Sequence, residues 1–142
     1  MLQVQTLGSK KTAKACAITN KSNTDFSLVV NCINYNMIQD GFLRDKLKEL
    51  ICIIGEENLE NISVNVRVRG GGHISQAYAI RQAIAKGVVA YYGKYIDEEK
   101  KQELQNKLLS FDKFTLIADP RKMEAKKYGG PSARAKYTKS YR

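Results

Sequence analysis

Gly70-Gly71-Gly72-His73 is the stretch of this 142-residue chain whose residue types most suggest chemistry. Glycines lack Cβ, so φ can be positive and another backbone or a phosphate can come close. Ser75, just beyond, is a good helix N-cap, and Gln76, Ala77 and Tyr78 open a periodic apolar series. A glycine bend feeding a helix N-terminus collects free N–H groups at the positive end of the helix dipole. That suits a phosphate, either of a nucleotide in an enzyme or of a nucleic-acid backbone.

The partners that catalysis would need are missing from the sequence. No Gly-Lys-Ser/Thr follows the glycines, so this is not a Walker A loop, and Ser75 stands where GxGxxG needs its last glycine. His73 is the sole histidine. It could bind phosphate or act as a base beside a nucleophile, but a loop-lining role suits it better. Cys16, Cys32 and Cys52 are odd in number and widely spaced with no CxxC, which predicts neither a zinc site nor a disulfide framework. The acids form no paired-carboxylate pattern. The expectation is no catalytic site, no metal and no cofactor. A phosphate-handling enzyme using Gly70–Ser75 and His73 remains the alternative.

Charge favours nucleic acid. The net charge is +10. Residues 1–24 carry +4 with no acid, residues 25–118 balance twelve basic against twelve acidic side chains, and residues 119–142 carry +6. A neutral body with two basic ends is built for a polyanion. At the first end lie Lys10, Lys11 and Lys14. In the tail Arg121, Lys122, Lys126, Lys127, Arg134, Lys136, Lys139 and Arg142 are interleaved with Tyr128, Tyr137 and Tyr141. Cations neutralise phosphates and tyrosines stack on bases. Arg67, Arg69 and Arg81 of the body join the set, together with Gly70, Gly71, Gly72, His73 and Gln76 of the bend. A membrane partner is disfavoured: no apolar run is long enough to span one, and the basic tail has no apolar helical face. The opening residues lack the order of a signal peptide, so an intracellular protein is expected.

The elements that must position these residues follow from periodicity. Residues 3–18 read as a hairpin around the basic turn Gly8–Lys11, and Phe26–Cys32 as a strand. In Asp40–Ile54, Leu43, Leu47, Leu50 and Ile54 share one helical face, with Asp40 as cap and Gly55 as terminator. Ile62–Arg69 alternates strictly, sending Arg67 and Arg69 to the open face. A helix over Ser75–Tyr95 carries the stripe Ala77, Ile80, Ile84, Val88, Tyr91, Tyr95, and its many alanines let another element come close. Asp97–Leu109 is a further helix with acids in its first turn and Leu104, Leu108 and Phe111 on its buried side. Phe114–Ala118 reads as a closing strand, broken at Asp119-Pro120. This divides the chain into a body, 1–118, and a tail, 119–142. Fully extended, residues 121–142 would reach roughly 70 Å at about 3.3 Å each.

GGGHISQAYAIRQAIAKGVV (Gly70–Val89) with the following AYYGKY resembles the signature of the universal small-subunit ribosomal protein family called S-nine in bacteria and S-sixteen in older eukaryotic naming. The opening QTLGSKKTAKACA, the stretch ADPRKMEAKKYGG and the ending GGPSARAKYTKSYR resemble it too, and the eukaryotic form fits better. Ser132, Lys136 and Gly87 depart from the usual pattern, and residues 22–60 are unlike most relatives. The resemblance implies an α+β fold of the ribosomal S-five domain-two-like type, a four-stranded sheet with packed helices, a left-handed βαβ crossover and a long basic C-terminal tail. It implies a structural, non-enzymatic role in the head of the cytoplasmic small subunit, among neighbouring head proteins and bound to small-subunit rRNA. It further implies that the tail reaches the peptidyl-site tRNA through Lys139, Tyr141 and Arg142. An RNA-binding module acting outside the ribosome is the remaining alternative.

Overall fold

Alternating residues build one sheet, seen here in a computed structural model that describes residues 2–142. β1 (Gln3–Lys10) and β2 (Ala13–Lys21) form the expected hairpin around Lys11 and Thr12, with Lys11 at φ 54°. β3 (Ser27–Val30) turns at Asn31 and Cys32, both at positive φ, into the two-residue β4 (Ile33–Asn34). Positive φ at both central residues matches the twist of a tight hairpin. β5 (Ile62–Arg69) then inserts between β2 and β3, antiparallel to one and parallel to the other, in the order β1-β2-β5-β3-β4. The sheet thus has five strands where the resemblance implies four, and its edge strand β4 has two residues, too few to leave a periodic trace in sequence. The strand expected over Phe26–Cys32 is correspondingly shortened by the turn.

The core lies between this sheet and three helices, giving an α+β fold. Ile62, Val64, Val66 and Val68 point inward with Ala13, Ala15 and Ala17 of β2. Each fully buried valine or isoleucine contributes about 1.5–3 kcal/mol by leaving water. α2 (His73–Tyr95) crosses the inner face. Its alanines admit the sheet: a Cβ on Gly8 of β1 would stand 2.1 Å from the Ala79 carbonyl oxygen. α1 (Gly41–Ile54) carries the cap and terminator expected of it, Asp40 accepting from the Phe42 and Leu43 N–H groups and Gly55 ending the helix at φ 86°. α3 (Glu98–Phe111) is capped by Asp97 and buries Leu104 and Leu108. Phe111, expected on the buried side, is half exposed.

Phe114–Ala118 forms no strand. Asp112 caps a 3-10 turn at Lys113–Thr115, accepting from the Phe114 N–H at 2.9 Å, and this packs against α2 and α3 instead of pairing with the sheet. No helix is long and apolar enough to cross a membrane among the described residues.

Candidate nucleic-acid interface

Gly70 and Gly71 take φ 75° and 69°, the region that only glycine enters without strain. A Cβ on Gly70 would lie 2.8 Å from the Thr12 carbonyl oxygen, and one on Gly71 2.9 Å from Ala13 Cβ. The close approach that these glycines permit is therefore to the chain's own β1–β2 hairpin. Gly72 has nothing within 4 Å of its would-be Cβ, and it, not Ser75, is the N-cap of α2. The helix starts at His73 because the Gln76 N–H already reaches the Gly72 carbonyl at 2.9 Å. The Gln76 side chain also donates to the Gly70 carbonyl at 3.0 Å and pins the bend. The N–H groups of His73, Ile74 and Ser75 thus precede the first intrahelical bond. His73 is exposed, and among the described residues neither a metal-holding group of side chains nor a hydrogen-bonded nucleophile surrounds it.

Cations gather around this helix end from three distant segments. Lys14 of β2 sits opposite Arg69 of β5, and Cys16 opposite Arg67. Lys14, Arg67 and Arg69 are exposed on the outer face of the sheet. Lys10, Lys11, Ser75, Tyr78, Phe114 and Arg121 line one cleft, and Lys11, Thr12, Arg121, Lys122 and Met123 the adjoining one. Hairpin turn, helix N-terminus and the root of the tail therefore form one surface.

Some of the expected contacts are committed internally. Arg81 is buried: it pairs with Asp112, and its guanidinium carbon lies 5.1 Å from the Tyr78 ring centre and 6.0 Å from that of Phe111. It lies beneath the end of α3 and offers no exposed cation to the surface. Lys10 pairs with Asp119, whose side chain is only 2% exposed. The same carboxylate accepts from the Arg121 guanidinium at 2.8–3.2 Å and from the Arg121 backbone N–H at 3.0 Å. Arg121 first, then Lys10, hold the Asp119 carboxyl well below the usual carboxylate range. Arg121 keeps most of its side chain in solvent, so it can face a phosphate while it holds Asp119.

The tail is not wholly extended. Gly129 takes φ 88°, and the Tyr137 N–H donates to the Gly129 carbonyl at 3.2 Å, closing residues 129–137 into a loop. Gly130 packs inside it, where a Cβ would overlap the Ala135 carbonyl oxygen at 1.7 Å. Glu124 draws in Lys127 and Arg134 through exposed pairs. Lys122, Lys126, Lys136, Lys139 and Arg142 are exposed and outside every ion pair among the described residues, and Tyr128, Tyr137 and Tyr141 are exposed beside them. Asp119-Pro120 breaks the pattern in sequence, and Asp119 is in addition the anchor of the tail root. The signal available was a single acid at the head of a +6 segment.

Residues 8–142, which include the cations of both basic ends, match the family described as ribosomal protein S9/S16. The chain belongs to that family. Ribosomal protein S9/S16 members are structural, non-enzymatic proteins, which removes the phosphate-handling enzyme. Proteins named small ribosomal subunit protein uS9 from Caenorhabditis elegans, Debaryomyces hansenii and Dictyostelium discoideum are each 48% identical over 139 residues. Each alignment covers 98% of this chain and 95%, 96% and 93% of the relative, respectively.

Proposed function

We propose that the chain is a structural constituent of the small ribosomal subunit head in the cytoplasm, docked on small-subunit rRNA among neighbouring head proteins. Lys11, Lys14, Arg67 and Arg69 carry the body's contacts, Lys10 and Arg121 line the same surface around the start of α2, and Gly72 and His73 present that helix end. The tail follows rRNA through Lys122, Lys126, Lys127, Tyr128, Arg134, Lys136 and Tyr137. Its last residues, Lys139, Tyr141 and Arg142, approach the peptidyl-site tRNA.

One observation carries the reading: cations from three distant segments converge at one end of a body that is otherwise electroneutral. Phosphates held there are satisfied by charge and by free N–H groups together. The names of the relatives support the small subunit as the particle.

Sedimentation tests both parts. A tagged chain is expected to stay on small subunits through a high-salt gradient, and loss to the top fractions would overturn the docking. A chain lacking Tyr141 and Arg142 is expected to assemble normally but to release peptidyl-site tRNA faster. Unchanged tRNA retention would remove the tail from that site.

A further inference from the structure

At the opposite end of β5 from the basic surface lies a groove of about 450 Å³. Arg69 closes the C-terminal end of that strand, and its eight residues carry the chain roughly 25 Å from there to the groove. Half-buried Phe26, Tyr35 and Ile51, with buried Leu28 and Leu59, give the groove an apolar floor. Asp25, Glu56 and Glu60 line its rim, and no lysine or arginine lines it. None of these three carboxylates takes part in an ion pair among the described residues. Such a rim repels RNA phosphates and attracts cations.

The groove also borders a stretch of sheet edge that β4 leaves unpaired, flanked by the 3-10 turn at Tyr35–Met37. β4 pairs with Val29 and Val30 alone, so Ser27 and Leu28 have β5 on one side and no strand on the other. Ser27 and Leu28 both line the groove. An unpaired edge beside an apolar floor accepts an added strand: main-chain hydrogen bonds give affinity and alternate side chains fill the floor.

We propose that this groove docks an extended, lysine- or arginine-rich segment of a partner protein as a sixth strand beside Ser27 and Leu28. The alternate apolar side chains of that segment rest on Phe26 and Ile51. Its cations meet Asp25, Glu56 and Glu60. The chain thus holds RNA at one end of β5 and a basic polypeptide at the other, and the two contacts do not compete.

Fluorescence anisotropy with a fluorescein-labelled nonapeptide of alternating lysine and valine tests this on the full chain. Saturable binding is expected, absent for the glutamate–valine counterpart. Asp25→Asn, Glu56→Gln and Glu60→Gln combined should weaken it about tenfold, since each exposed charge pair lost contributes only modestly. A proline at the central valine should weaken it similarly by removing a main-chain donor. In the unsubstituted chain, amide NMR perturbations should centre on Ser27 and Leu28, a readout that does not depend on the variants folding. Absence of saturable binding, indifference to the triple substitution or to proline, or perturbations centred elsewhere would each overturn the proposal. So would concentration-dependent self-association that the triple variant abolishes, since the occupant would then be a second copy of this chain.

Discussion

Lys10 and Asp119 stand 109 positions apart and meet in one ion pair. The contact joins the last residue of β1 to the first residue of the tail, beside the hairpin turn and the start of α2. Arg121 closes on the same carboxylate from the tail side. The tail therefore leaves the body at a set point, and its first cation is aimed by an anion that the body buries.

Asp119→Asn should free the tail root while leaving the core intact. Trypsin should cut after Arg121 and Lys122 faster, with little change in melting temperature. The depressed carboxyl fixes the sign of the pH response. Protection of the root should be full above the unfolded aspartate pKa of about 3.9 and decline as pH falls below it. Pepsin cleavage below that pH, compared between the chain and Asp119→Asn, should therefore converge as acidity increases.

Arg81 and Asp112 should respond unequally to substitution. Asp112→Ala strands a guanidinium that is 5% exposed and uncaps the Lys113–Thr115 turn, a loss of about 3 kcal/mol or more. Arg81→Met removes the charge but keeps an apolar stem on Tyr78 and Phe111, and should cost about 1 kcal/mol. Urea denaturation measures both. RNA affinity of Arg81→Met should match that of the native chain.

Gly8→Ala and Gly87→Ala separate backbone from side-chain crowding. On Gly8 the new methyl meets the Ala79 carbonyl and the Ala83 nitrogen at 2.1 and 2.7 Å, so α2 itself must move, at about 3 kcal/mol. On Gly87 it meets the Thr19 and Thr6 hydroxyls at 2.5 and 3.3 Å, side-chain atoms instead of backbone, and the buried Thr19 hydroxyl has no hydrogen bond to lose when it gives way. Helix propensity returns about 1 kcal/mol there. Thermal denaturation should show a large drop for the first and a change several-fold smaller for the second.

Filter binding to a small-subunit rRNA fragment across a salt series should sort the cations. Lys14→Ala and Arg69→Ala should each reduce the log–log salt slope by about 0.9, one phosphate contact apiece. Arg81→Met should leave the slope alone. A change in slope for Arg81→Met, or none for the other two, would reassign the docking surface.

Signals confined to one element were legible in the sequence. Ile62–Arg69 alternates without interruption and is β5 to the residue, and Asp40 and Gly55 bracket α1 because cap chemistry is local. Phe114–Ala118 was not legible: five apolar-rich residues suit a strand, but Asp112 caps a turn there and the sheet offers no partner. Ser75 lost to Gly72 because the bend, pinned by Gln76 and seated on Thr12 and Ala13, delivers the chain already helical at His73. In the site, charge was legible and pairing was not. Arg81 lies off the apolar stripe of α2, yet Phe111 and Asp112 from the end of α3 cover it. That contact, like Lys10 with Asp119, exists only once the helices and the tail root have docked.

The loop at residues 129–137 gives the tail slack. Eight residue steps at about 3.3 Å would span roughly 26 Å if drawn straight, while the closed loop brings their ends within one hydrogen bond. Parting the Tyr137 N–H from the Gly129 carbonyl pays out that length without disturbing the anchored root at Asp119. The reach from body to tail tip is then longer with the loop opened than with it closed, by up to the length that the loop stores.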